Sequence, residues 1–281
     1  MSFGCVAGPD HVLDFRRSIN QSTLAATRDL KEWIAVDGPA LESARSLLAD
    51  WEQQEASTAL LPLTSVRLRA PISNPGKIVA IGLNYRDHAE EQGAPLPESP
   101  LIFAKFPSAV IGPGDSIHLP EISAKVDPEA ELCIVPLDRG IRWDRTTIRS
   151  RVAFMIGNDV SARDLQFSDK QWVRGKSCDT FAPCGPWLVT ADEVGDPHSL
   201  TIELRVNGEL RQSSSTSQLI FDTEDLVEHI SETVTLEPGD IIFSGTPSGV
   251  GVFRDPPLFL QPGDEVEVFI EKLGSLRNRV I

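Results

Sequence analysis

The chain is a succession of short apolar runs closed by turn-forming triplets, and this rhythm constrains its fold more than any other feature. The runs are Lys77 to Leu83, Leu101 to Lys105, Ala130 to Pro136, Val152 to Val160, Trp187 to Thr190, Ile202 to Val206, Ile241 to Ser244 and Val266 to Ile270. Apolar runs this short, bounded by Gly, Pro, Asn and Asp, read as strands. Pro113-Gly114-Asp115, Pro238-Gly239-Asp240 and Pro262-Gly263-Asp264 repeat one loop-into-strand pattern. Asn207-Gly208, between Ile202–Val206 and Glu209–Gln212, predicts a tight hairpin that needs positive φ. Helical signals are few beyond residue 72, chiefly Asn84 to Gln92 and Asp222 to Glu232. An alternating βαβ order is missing, so the expectation is an α+β, β-rich domain rather than a doubly wound sheet.

The first 70 residues differ. Leu41, Ala44, Leu47, Leu48 and Trp51 recur at helical spacing behind Pro39, and Ile72-Ser73-Asn74-Pro75-Gly76 reads as a linker. The expected division is a small N-terminal domain, 1–71, and a catalytic domain, 72–281. Charge divides at the same place. Residues 1–70 carry nine acidic and seven basic side chains, and residues 71–281 carry 32 and 19. A net charge of −15 gives no overall field for phosphate backbones, so neither nucleic acid nor an anionic membrane is an expected partner. With no apolar run long enough to span a bilayer and no signal-peptide pattern, the expected location is cytoplasmic. Four cysteines without CxxC spacing are expected to be reduced thiols.

Three carboxylates stand out as metal-ligand candidates. Glu129 and Glu131 lie two apart at the start of an extended run, so both project from one face. An isolated pair of this kind is usually solvent-facing, yet Leu132 to Val135 is uninterruptedly apolar, which suggests burial on both faces. Two buried like charges then cost several kcal/mol unless a cation lies between them. Asp159 follows another apolar run, where side chains are presented to a cleft; it could equally cap a short helix over Ser161 to Gln166. Carboxylate oxygens suit Mg²⁺ or Mn²⁺ better than zinc or copper. His88 and Glu91, three apart on one helical face, make a His–carboxylate pair fit to handle a proton, or a casual surface ion pair.

Five motifs occur in family order. They are Gly82-Leu83-Asn84-Tyr85-Arg86-Asp87-His88, Asp127-Pro128-Glu129-Ala130-Glu131-Leu132, Asn158-Asp159-Val160-Ser161-Ala162-Arg163-Asp164-Leu165-Gln166, Arg174-Gly175-Lys176-Ser177 and Phe243-Ser244-Gly245-Thr246-Pro247-Ser248-Gly249-Val250-Gly251. Together they resemble the fumarylacetoacetate hydrolase family, in its smaller bacterial-type members. The resemblance implies a mixed β-sandwich roll, with Glu129, Glu131 and Asp159 as ligands of Mg²⁺ or Mn²⁺ and a homodimeric assembly. It implies that His88 with Glu91 activates water and that Lys176 stabilises negative charge. It places Arg163, Gln166 and Thr246 against the substrate. Pro128 stands where many relatives carry an aromatic residue.

The substrate implied is a small anionic β-dicarbonyl or α-keto acid. The leading expectation is hydrolysis of a C–C bond in an acylpyruvate or fumarylacetoacetate-like acid through a metal-stabilised enolate. The alternative is decarboxylation or isomerisation of oxaloacetate-like or hydroxy-diene-dioate acids in aromatic catabolism. A non-catalytic metal-binding protein is the reading from another class, and the joint presence of His88, Glu91 and Lys176 argues against it.

Overall fold

A computed structural model describes residues 4–6, 8, 10–14, 30–34 and 60–281. The expected helix over Ala40–Trp51 lies outside the described residues. The chain divides into two compact units, Met1–Leu68 and Arg69–Ile281. In the first, strands β1 (Gly4–Val6), β2 (His11–Asp14) and β3 (Leu60–Pro62) form an antiparallel sheet with Leu13 buried.

The second unit is built from strands with few helices. In chain order they are β4 (Ile78–Gly82), β5 (Leu101–Lys105), β6 (Val110–Ile111), β7 (Ser116–Ile117), β8 (Val126–Asp127), β9 (Ala130–Pro136) and β10 (Val152–Asn158). There follow β11 (Ser161–Ala162), β12 (Ala182–Thr190), β13 (Thr201–Val206), β14 (Glu209–Ser215), β15 (Ile241–Phe243), β16 (Glu265–Ile270) and β17 (Gly274–Val280). Seven make a mixed sheet, ordered β5-β4-β15-β9-β10-β12-β6, and five make a second, β14-β13-β16-β17-β7. β9, β10 and β12 pack on β13, β16 and β17.

The two sheets carry different sequence patterns because they are covered differently. β9 and β10 are central and buried along their whole length, so they read as continuous apolar runs. β13 and β16 bury one face, with Ile202, Leu204, Val206, Val266, Val268 and Ile270 inward and polar residues alternating outward. The predicted strand at Trp187–Thr190 begins five residues earlier, at Ala182. Pro183, Gly185 and Pro186 read as breakers, but this stretch lies at the margin of the sheet, beside only two-residue β6, where missing ladder donors are tolerated.

The Pro-Gly-Asp triplets are one turn used three times. The Asp amide donates to the carbonyl three residues back, at Gly112, Glu237 and Gln261. The Asp carboxylate then accepts from the amide of that same residue, over 2.8–2.9 Å. Proline sets φ at the second position and glycine supplies the positive φ of 72°, 79° and 98° at the third. Asn207 and Gly208 both take positive φ and close the β13–β14 hairpin.

Four helices complete the unit: α1 (Arg86–Gln92), α2 (Arg163–Ser168), α3 (Val173–Lys176) and α4 (Thr223–Ser231). Asp222 caps α4 in a reciprocal box with Asp225. Asp159 does not cap α2, as was one expectation. Residues 161–162 instead pair as β11 with β8, and the helix starts only at Arg163.

Candidate active site

Antiparallel pairing assembles the carboxylates. β9 and β10 pair so that Glu131 faces Gly157 and Ala130 faces Asn158. One residue further on, the Asp159 amide donates to the Glu129 carbonyl at 2.9 Å, and the Glu129 amide donates to the Asn158 side chain at 3.0 Å. Glu129, Glu131 and Asp159 are all buried, each with an oxygen within 4.8 Å of the others.

Three buried cations meet them. Lys176 at the end of α3 donates to both Glu129 and Asp159 at 2.7 Å. Arg163 at the start of α2 reaches Glu129 at 2.7 Å, Gln166 at 3.1 Å and Asp127 at 2.9 Å. Lys105, at the end of β5 and fully buried, donates to Asp159 at 2.5 Å and to the Lys176 carbonyl. Burial pushes Glu129 up, but Lys176 and Arg163 outweigh it and hold the carboxyl below its usual range. Glu131 has no such partner; it accepts only from the Gly245 amide, at 2.7 Å. Burial, then the charges of Asp159 and Glu129, push it well above the usual carboxylate range.

This imbalance is the fit test for a metal. Glu131 is a buried carboxylate facing two others with no cation of its own, and an all-oxygen donor set suits a hard divalent ion. Glu129, Glu131 and Asp159 therefore fit Mg²⁺ or Mn²⁺.

Across the cleft, α1 presents His88. Asn84 anchors the approach to this helix by donating to the carbonyls of Phe221 (3.0 Å) and Ser244 (2.7 Å) and accepting from the Phe221 amide (2.9 Å). His88 Nδ1 lies 2.8 Å from Glu91, and Nε2 lies 2.7 Å from the side-chain nitrogen of Gln92. A carboxylate can only accept here, so Nδ1 carries the hydrogen and Nε2 is the basic atom, capped by the Gln92 amide. His88, Glu129, Glu131, Arg163, Gln166, Lys176 and Thr246 line one cleft of about 540 Å³. Asp159 lies behind Lys176, and Glu91 behind His88. Thr246 accepts from Gln212 at 2.8 Å, whose own oxygen takes the Ala130 amide at 2.8 Å.

The cleft also has an aromatic side. Phe103 and Trp172 stack edge-on with centroids 5.3 Å apart, and Phe253 lies 5.9 Å from the His88 ring. The sequence marked Trp172 as a possible wall residue. It did not mark Lys105, Gln92 or Asp127, because a lysine ending an edge strand and a glutamine on a short helix carry no local sign of burial.

His198, Asp222 and Glu224 form a second group of three ligand-type side chains within 4.8 Å. Its charges are already met. Asp222 takes Arg145 at 2.5 Å, while Glu224 takes Arg149 at 3.0 Å and His198 at 3.0 Å. Burial lowers His198, but the hydrogen bond to Glu224 wins and raises it; His198 and Thr223 in turn hold Glu224 down to about 2 against burial. A raised His contributes stability below its unfolded value near 6.5 and loses it as pH rises through the folded value. A depressed Glu contributes above its unfolded value near 4.3 and loses it as pH falls. Urea midpoints of wild type minus His198→Gln should thus differ most between roughly pH 4.5 and 6.5 and converge on either side.

The residues that build the cleft lie within 77–281, the span matched by the family model described as fumarylacetoacetate (FAA) hydrolase C-terminal. The chain belongs to the fumarylacetoacetate hydrolase family. It is 52% identical over 225 residues to a mitochondrial oxaloacetate tautomerase of Bos taurus, covering 79% of this chain and 72% of that protein. Among solved structures it resembles 5-carboxymethyl-2-hydroxymuconate delta-isomerase from Mycobacterium smegmatis, with TM-score 0.72, 43% identity and coverage of 80% and 86%. It also resembles fumarylacetoacetate hydrolase from Exiguobacterium antarcticum, with TM-score 0.79, 36% identity and coverage of 96% and 91%. Within the family, the β-rich fold expected from the strand rhythm is the fold observed. Among the described residues, no helix is long and apolar enough to cross a membrane.

Proposed function

We propose that the protein is a divalent-metal-dependent tautomerase of oxaloacetate-like 2-oxo acids. The observation that carries the reading is His88, with Nε2 left basic by Glu91, facing the buried Glu129–Glu131–Asp159 set in one cleft. The 52% identical relative favours the isomerase alternative over the C–C hydrolase that led the sequence reading.

A divalent ion held by Glu129, Glu131 and Asp159 would supply a Lewis acid that polarises the 2-oxo group. The chain's own residues do the rest. Arg163 and Gln166 hold a substrate carboxylate, and Thr246 adds a hydroxyl donor. Lys176 sets a fixed positive charge where negative charge grows on the C2 oxygen. His88 Nε2 moves the proton at C3, and Glu91 holds the ring and balances the imidazolium charge. Going from enol to keto, the O–H bond at C2 breaks and a C3–H bond forms. Nothing else is gained or lost, so no water needs activating.

The test starts from the enol form of oxaloacetate with Mg²⁺, following enol absorbance and product mass together. Accelerated loss of enol at unchanged mass is expected; cleavage of an acylpyruvate faster than enol loss would overturn the reading. The homodimer and the cytoplasmic location belong to the same proposal, and light scattering and cell fractionation test them. The named relative is mitochondrial, so fractionation there decides between two definite outcomes.

A further inference from the structure

Two carboxylates in this site each use one side to hold a working side chain and the other to grip the same short piece of backbone. Glu91 accepts from His88 with Oε2 and from the Gly249 amide with Oε1, both at 2.8 Å. Asp127 accepts Arg163 Nε at 2.9 Å and the Val252 amide at 3.0 Å on Oδ2, and the Gly251 amide at 2.8 Å on Oδ1. Residues 249–252 therefore run from the proton-transfer group to the substrate-binding arginine. Phe253, the next residue, lies against the His88 ring.

The glycines explain how the segment fits so tightly. Gly249 has φ of +102°, and a Cβ there would lie 2.2 Å from the Arg211 carbonyl oxygen. A Cβ on Gly251 would lie 1.8 Å from the Leu258 carbonyl oxygen and 2.8 Å from Asp127 Oδ1. Neither position admits a side chain. Asp127 is fully buried, as a carboxylate serving three donors on two elements must be to keep its geometry fixed.

We infer that Asp127 is a positioning residue that, through the 249–252 segment and Glu91, sets the spacing between Arg163 and His88. The inference rests on the tautomerase reading for its kinetic consequence. Asp127 itself touches no substrate; it aims Arg163 and ties that aim to the backbone that holds Glu91. Displacement of about 1 Å at such a group is worth about a hundredfold in rate.

The experiment compares wild type, Asp127→Asn, Glu91→Gln and the double variant on enol-oxaloacetate with Mg²⁺. Oxalate binding to the Mn²⁺-loaded proteins, by calorimetry, is a readout independent of turnover. Asp127→Asn should raise KM about a hundredfold with a smaller fall in kcat, and weaken oxalate to match. Because both carboxylates act on one segment, the double variant should lose at least about fivefold less in kcat/KM than the product of the single losses. In wild type, oxalate should shift the amide resonances of Gly249, Gly251 and Val252 together, which decides the matter even if Asp127→Asn does not fold. Multiplicative losses with unchanged oxalate affinity, or a Gly249 resonance that stays put, would overturn the inference. Wild type that binds oxalate with these shifts yet leaves enol-oxaloacetate unchanged would sink the tautomerase reading and spare the coupling.

Discussion

Glu131→Gln is expected to abolish turnover while stabilising the metal-free protein. The two effects have one cause. Glu131 is buried against Glu129 and Asp159, and its printed partner is a backbone amide rather than a cation. A glutamine of the same shape keeps the bond from the Gly245 amide and removes the repulsion, so the urea midpoint without metal should rise. The same change removes one of three anionic ligands. Loss of a Lewis acid that contributes several kcal/mol at the transition state lowers kcat/KM by roughly a thousandfold or more. EDTA should bring wild type to the level of the variant, and added Mg²⁺ or Mn²⁺ should rescue only wild type. Metal should raise the wild-type urea midpoint and leave that of the variant nearly unmoved. Metal-independent turnover, or a variant less stable than metal-free wild type, would show that these three residues are not a cation site.

His88→Asn is expected to lower kcat for tautomerisation by about 10²- to 10⁴-fold, the range for losing a positioned proton-transfer group. Metal affinity should hold, because His88 contacts Glu91 and Gln92 rather than the three carboxylates. The variant should also separate reactions. Tautomerisation needs a proton moved at C3, and hydrolysis needs an activated water. Decarboxylation of oxaloacetate needs only an electron sink at the 2-oxo group, and that lies on the carboxylate side of the cleft. Mass spectrometry of oxaloacetate with Mg²⁺ should show residual pyruvate formation in His88→Asn while enol–keto exchange falls to the uncatalysed rate. Loss of both in equal measure would mean that His88 holds the substrate and does not move the proton.

The sites of turns, the continuous apolar strands and the one-faced strands were legible because each depends on neighbours in sequence. Proline and glycine restrict φ locally, and alternation reports which face is covered. The acidic pair Glu129 and Glu131 was legible for the same reason: it sits on a run whose apolar continuation promises burial. β12 was legible only from Trp187 onward, since Pro183 and Pro186 are harmless at a sheet margin that no local pattern reveals.

By itself, the sequence determined the building blocks: strands short enough to need two stacked sheets, turns that can close only one way, and carboxylates placed where burial would demand a counter-charge. Which charges meet was decided by tertiary structure alone. Lys105 lies 54 residues from Asp159 in the chain, and Asp127 lies 124 from Gly251, so only strand pairing and sheet packing bring them together. A side chain's role in this cleft depends on its partners, as with Glu129 held ionised by Lys176 and Arg163 while Glu131, two residues away, is pushed toward neutrality. The physical reason is that electrostatic energy depends on distance through space and on the exclusion of water, and neither is set by spacing along the chain.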